Sequence, residues 1–216
     1  RSEIHITPIA TVDPPLLNAA GLHAPYALRT VLEIVTEDNI SGISEIPGTK
    51  DIDAALEDSK KLLIGKDVFQ LNQIRQILAD AFGKDSVADR GLAPWDQRKL
   101  VHIFSAVEVA CMDIIGKVTG KPIVDLLGGK MRERVPFSAY LFYKYAGAGG
   151  ELGFGINPDA TGWDAARQKS ALNPEEIVAQ AQAMCREFGF QSIKLKGGVF
   201  HPREEVDAVF ALREAF

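Results

Sequence analysis

The chain has 216 residues, 46% of them hydrophobic and 25% charged, which is enough apolar material to pack one domain or two small ones. A net charge of -5 without a Lys/Arg cluster gives no electrostatic footprint for phosphate backbones or anionic lipid, so neither nucleic acid nor membrane is expected as a partner. The most apolar stretch, LVHIFSAVEVACMDIIGKV, is interrupted by Glu108 and Asp113, and RSEIHITP at the start lacks the apolar core of a signal peptide, so a cytoplasmic protein is expected.

Taken in order, EIHITPIATV alternates, YALRTVLEIVTED is a longer β-branched run, and GISEIPG follows the turn residues DNISG. Together they predict a three-stranded antiparallel sheet. Two helices come next: DIDAALEDSKKLLIG, with Asp51 or Asp53 as its cap and Gly65 as its stop, and VFQLNQIRQILADAF, with apolar residues three and four apart. Residues 97–118 carry the strongest helical pattern, and in GKPIVDLLGG a short helix opens near Pro122 and ends at Gly128 and Gly129. From VPFSAYLFY onward the order is strand (135–143), helix (174–188), the strand QSIKLKGG and helix (203–215), which implies a parallel sheet with crossover helices. A domain boundary near residue 132 follows. The connection KYAGAGGELGFGINPDATGWDAARQKSALNP is of a length that is usually functional or mobile. Two βα units cannot close a barrel and would leave sheet edges open, so the sequence reads as the amino-terminal part of a longer polypeptide.

The stretch SIKLKGG poses a chemical question. Alternation sends Lys194 and Lys196 to one face of the strand and Ile193 and Leu195 to the other. A solvated lysine face is one reading; the interior of a sheet or barrel is the other, and there two ammonium groups are costly and need a chemical reason. The glycines after the strand suit either close approach to a ligand or a turn into the helix. No G-x-x-x-x-G-K-[ST] accompanies them, so a nucleotide-phosphate loop is not expected. Tyr140 and Phe142 likewise share one strand face. Glu108 and Asp113 sit ~140° apart around a helix and do not converge, which points to structural roles. His102 and His201 read as packing and helix-entry residues, and Cys111 and Cys185 as buried free thiols. No H-x-H, H-E-x-x-H or C-x-x-C spacing supports zinc.

At AVEVACMDIIGKVTGKPIVDLLGG the sequence resembles the mandelate racemase and muconate-lactonising branch of the enolase superfamily. Within it, GLHAPYALRT, GISEIPG, DRGLAPWD, SAYLFY and IKLKGGV are most similar to glucarate dehydratase and related acid-sugar dehydratases. The resemblance implies an α/β chain, with an α+β capping domain at residues 1–132 and the first βα units of a modified TIM barrel at residues 133–216, the barrel incomplete. It implies Mg²⁺-dependent abstraction of the proton α to a carboxylate, followed by loss of the β-hydroxyl as water to give a keto-deoxy sugar acid. TIM-barrel sites lie at the carboxyl ends of the strands. Lys196 is then the implied base, since a neighbouring ammonium and desolvation both favour a neutral amine. Lys194 is implied as its catalytic and substrate-binding companion, stabilising the enediolate.

His23, in the loop NAAGLHAPY that closes over the barrel mouth, and Tyr140 and Phe142 on the first barrel strand are the other implied substrate contacts. Pro94 stands where the family's GLQTFD-type segment offers a threonine, so no hydroxyl reaches substrate from there. The metal ligands are expected beyond residue 216 and none within the chain, which alone is expected to be inactive. A small-molecule sugar diacid and a homo-oligomer are the implied partners. Two alternatives stay open: a racemase, epimerase or cycloisomerase that shares the lysine base, and a non-catalytic truncated relative acting as an assembly partner.

Overall fold

In the computed structural model, residues 2–10, 16–18, 21–22, 26–87, 99–147 and 156–216 are described; His23, Pro94 and Trp95 lie outside them. The chain enters through β1 (Ser2–Ala10), a short antiparallel pair β2 (Leu17–Asn18) and β3 (Gly21–Leu22), then β4 (Tyr26–Val35) and β5 (Ser41–Pro47). The expected three-stranded sheet forms with the order β1-β4-β5, and β4 and β5 run antiparallel with Val31 opposite Glu45 and Val35 opposite Ser41. Their turn closes through Thr36, whose backbone N–H donates to the Ile40 carbonyl (3.0 Å), with Asn39 at φ 63. Asparagine tolerates that left-handed backbone better than most residues.

Three helices cover one face of this sheet: α1 (Lys50–Leu63), α2 (Leu71–Val87) and α3 (Lys99–Thr119). The cap of α1 is Thr49, whose Oγ1 accepts from the Ile52 N–H (3.3 Å). Asp51 and Asp53, expected as caps, instead lie in the first turn, where a carboxylate suits the helix dipole. Asp53 accepts from the hydroxyl of buried Thr30 (2.5 Å). Gly65, at φ +74, follows the end of the helix as expected. α2 begins at Leu71 rather than Val68, because the Asp67 carboxylate accepts from the Phe69 N–H (2.9 Å) and holds a turn there.

The buried stripe of α3, Ile103, Ala106, Val107, Ala110 and Ile114, has the three-and-four spacing of a core-facing helix. It lies so close to β5 that a Cβ at Gly42 would stand 2.0 Å from the Ala110 carbonyl oxygen. Asp113 anchors the contact. Its Oδ2 accepts from the Ile43 N–H (3.0 Å) and from Lys117 (2.8 Å), while Lys117 also donates to the Ser41 carbonyl (2.7 Å). Cys111 is buried here as a free thiol, pushed up to about 11 by burial and then by the charge of Glu108. Cys185 is also free but only partly buried. The short α4 (Ile123–Leu126) follows Pro122, and Gly128 and Gly129 take positive φ directly after it.

A second unit contains β6 (Ala139–Phe142), α5 (Gly162–Ala166), α6 (Pro174–Phe188), β7 (Ile193–Lys196) and α7 (Pro202–Ala215). Contacts divide the chain into Arg1–Ile9 with Leu28–Met131, and Ala10–Ala27 with Arg132–Phe216. β6 and β7 pair in parallel, as strand-helix-strand order requires. β6 is shorter than the expected 135–143, and the apolar Val135 and Phe137 before it are exposed. The long Gly-rich connection is not all loop: Gly162–Ala166 forms a helical turn within it.

α6 has both termini written locally. Asn173 Oδ1 accepts from the Glu176 N–H (2.9 Å), Pro174 opens the helix, and Gly189 at φ +69 closes it. His201 is the helix-entry residue expected of it, capping α7 through Nδ1, which accepts from the Arg203 N–H (3.4 Å). The core of the unit joins Leu17, Leu141, Tyr143, Ile177, Ala181 and Leu212. Among the described residues no helix is long and apolar enough to cross a membrane.

Candidate active site

The β6–β7 pair has two chemically different faces. Leu141 is buried, and Ile193 and Leu195 pack partly buried against the same cluster as the α6 and α7 residues Ile177, Ala181, Ala208 and Leu212. Alternation therefore projects Tyr140, Phe142, Lys194 and Lys196 from the side away from those helices. Register sets Tyr140 beside Lys194 and Phe142 beside Lys196. The Lys194 Nζ lies 4.5 Å from the Tyr140 ring centroid, and the Tyr140 and Phe142 rings are 4.6 Å apart, tilted by 41°. An ammonium over an exposed ring is held by about 0.5–1 kcal/mol, enough to bias where the amine rests. Both lysines are exposed in this chain. In a closed barrel the side opposite the helices is the interior, and Phe142 and Lys196 stand at the carboxyl ends of their strands, where such barrels carry their chemistry.

Immediately beyond Lys196 the chain turns on Gly197 and Gly198, the latter at φ +92. Glu205 of α7 reaches back into this turn: its Oε2 accepts from the Gly198 N–H (2.9 Å), and its Oε1 from Val199 (2.7 Å) and Phe200 (3.0 Å). Burial works against the charge, but the three backbone donors outweigh it and hold the Glu205 carboxyl below the usual glutamate range. A Cβ on Gly197 would stand 2.7 Å from Glu205 Oε2, so the carboxylate occupies the room a side chain would need.

Lys144 was not singled out by the sequence, although alternation carries on from Tyr140 and Phe142 to it. Only 4% exposed, it donates from Nζ to the Arg167 carbonyl (2.5 Å) and lies 5.8 Å from the Trp163 ring centroid. Its backbone exchanges hydrogen bonds with Ala171 (3.1 and 2.9 Å), pinning the long connection to the end of β6. With Tyr140, Phe142, Trp163 and Gln180 it lines a cavity of about 30 Å³. The segment leading toward the His23 loop is anchored at the same place, since the Leu17 N–H donates to the Tyr143 carbonyl (2.8 Å) and Leu17 is buried.

The structure thus brings together Tyr140, Phe142, Lys194 and Lys196, while His23 falls outside the described residues. A larger cavity of about 650 Å³ beside α5 and α6, lined by Trp163, Lys169, Glu176 and Arg186 among others, includes none of the predicted site residues. Among the described residues no group of three or more His, Cys, Asp or Glu could hold a metal ion.

Residues 10–128 match the sequence model of the mandelate racemase / muconate lactonizing enzyme N-terminal domain. The chain is 41% identical to a probable glucarate dehydratase of Streptomyces coelicolor, covering 99% of this chain and 49% of the relative. It is 27% identical to a D-galactonate dehydratase of Pectobacterium atrosepticum, covering 86% of this chain and 41% of the relative. A solved enolase from Pseudomonas fluorescens with bound magnesium, potassium and tartrate superposes with a TM-score of 0.79 at 40% identity, covering 99% of this chain and 49% of that one. The chain spans about half the length of the curated relatives it matches. With that domain matched over residues 10–128, and two parallel βα units after it, the chain belongs to the mandelate racemase / muconate lactonizing enzyme family of the enolase superfamily.

Proposed function

We propose that residues 1–132 are the capping domain and residues 133–216 the first βα units of an acid-sugar dehydratase acting on a glucarate-type diacid. The observation that carries this reading is the grouping of Lys194, Lys196, Tyr140 and Phe142 on the helix-free face of two parallel strands. The dehydratase names of the Streptomyces and Pectobacterium relatives support the reaction class. Tartrate, a hydroxylated dicarboxylate, in the Pseudomonas structure supports the ligand class.

In this reading Lys196 accepts the proton α to a substrate carboxylate, and Lys194 stabilises the negative charge that develops on that carboxylate. The carbon–oxygen bond at the β position then breaks, the hydroxyl leaves with a proton as water, and the enol that remains tautomerises to the keto-deoxy acid. Tyr140 offers its hydroxyl to a substrate hydroxyl or carboxylate, Phe142 packs beside it, and the His23 loop closes over the bound acid. We propose Mg²⁺ as the cofactor of the complete protein on the strength of the Pseudomonas neighbour. The described residues supply no cluster for it.

The test is an assay of the full-length protein with Mg²⁺ and a panel of aldarates, following formation of a 2-keto-3-deoxy product. Turnover is expected with at least one diastereomer, and Lys196→Ala is expected to lower kcat by about 10²–10⁴-fold, the range for loss of a positioned base. Absence of turnover with every acid sugar in the panel overturns the reading.

A further inference from the structure

Lys196 is the last residue of β7. Its backbone is held from one side by pairing with Phe142 in β6, and beyond it the chain leaves the sheet through residues 197–201, which belong to neither strand nor helix. Three consecutive N–H groups of that turn, from Gly198, Val199 and Phe200, converge on a single carboxylate, Glu205. Consecutive backbone N–H groups arranged this way form an anion-binding concavity. Here the anion is the protein's own side chain. Capping does not account for it, because His201 already caps α7 and Glu205 reaches backward past that cap to the strand end.

We infer that Glu205 is a positioning residue for Lys196: by clamping the turn on the far side of the strand end, it fixes the direction in which the lysine leaves the sheet. The inference rests on the reading of Lys196 as the base for its kinetic consequence, and on geometry alone for its structural one. Gly197 belongs to the same device, since a Cβ there would stand too close to Glu205 Oε2 and force the carboxylate to shift. The depressed titration of Glu205 is consistent with a carboxylate that stays charged and seated at neutral pH.

The experiment uses Glu205→Gln and Gly197→Ala in the full-length protein, with Leu212→Ala as a control that damages the core of the same unit about two helical turns along α7 from Glu205. Glu205→Gln keeps the shape and one acceptor oxygen but sets an amide NH₂ against the Gly198 N–H or against those of Val199 and Phe200; Gly197→Ala shifts the carboxylate without removing it. With an acid-sugar substrate, kcat is expected to fall about 10- to 100-fold, as for a small misplacement of a reacting group. KM is expected to stay within about threefold, because binding in ground and transition states is not lost equally.

The second readout needs no substrate: lysines are labelled by reductive ¹³C-methylation, and the Lys196 signal is assigned by its loss in Lys196→Arg. That signal is expected to move in both turn variants and to stay in place in Leu212→Ala, while the Lys117 signal stays in place in all three. A Lys196 signal unmoved in a folded Glu205→Gln and a folded Gly197→Ala overturns the positioning role, whatever the substrate proves to be. A wild type that turns over no acid sugar, with the Lys196 signal still displaced in the turn variants, overturns the dehydratase reading and leaves the positioning role standing.

Discussion

Asp113 and Glu205 do similar work at distant points of the chain: each carboxylate takes backbone N–H groups from an element other than its own. Asp113 holds Ile43 of the edge strand and Lys117 of its own helix; Glu205 holds the turn after Lys196. In both, burial pushes the carboxyl up but is outweighed, for Asp113 by Lys117 and the Ile43 N–H and for Glu205 by its three N–H donors, so both sit below their ordinary ranges. A group depressed on folding contributes stability that is fully present above its unfolded-state pKa, about 3.9 for aspartate and 4.3 for glutamate, and that is lost as pH falls through the folded value. Stability to urea is therefore expected to drop on the acid side of about pH 4.5. Asp113→Asn is expected to lower the urea midpoint at neutral pH and to flatten the acid-side drop; a variant with an unchanged acid slope would show that Asp113 does not contribute to it.

At the scale of elements, termini set by neighbouring residues were legible and those set by distant ones were not. Asn173, Pro174 and Gly189 bound α6 through contacts within a few residues, and its predicted range of 174–188 is the one observed. At α1 the cap expected at Asp51 or Asp53 falls instead on Thr49, and Asp53, inside the first turn, is engaged by Thr30, 23 residues earlier in the chain. Thr49→Ala is accordingly expected to cost about 1 kcal/mol, the typical loss for an N-cap hydroxyl, read as a lowered midpoint in urea unfolding followed by circular dichroism. The lysine face was legible as a face, because alternation is a property of the strand itself. Which face it was depended on where α6 and α7 pack, and that is written nowhere in IKLK.

For the molecule as a whole, each unit has its own core and each also exposes large apolar side chains. Val206, Val209 and Phe210 lie one helical turn apart along α7, and Val135 and Phe137 precede β6. Three- and four-residue spacing places the α7 residues on one stripe, the pattern of a surface made to be covered. The 216-residue chain expressed alone is expected to bind the dye ANS and to show no dehydratase turnover, whereas the full-length protein is expected to bind far less dye. Equal dye binding by the two, measured by fluorescence at matched concentration, would show that this stripe stays open.

By itself the sequence determined the strand and helix order, the parallel βα units, the pairing of Lys194 with Lys196 on one strand face and the resemblance to acid-sugar dehydratases, because propensity, capping and alternation act over a few neighbouring residues. Only the tertiary structure decided that the lysines face away from the helices, that Lys144 is buried against Arg167, that Asp113 reaches Ile43 across 70 residues and that Glu205 clamps the turn behind Lys196. Each of these depends on which surfaces meet once the apolar faces are buried, and a contact between residues far apart along the chain leaves no periodic mark in the order of the amino acids.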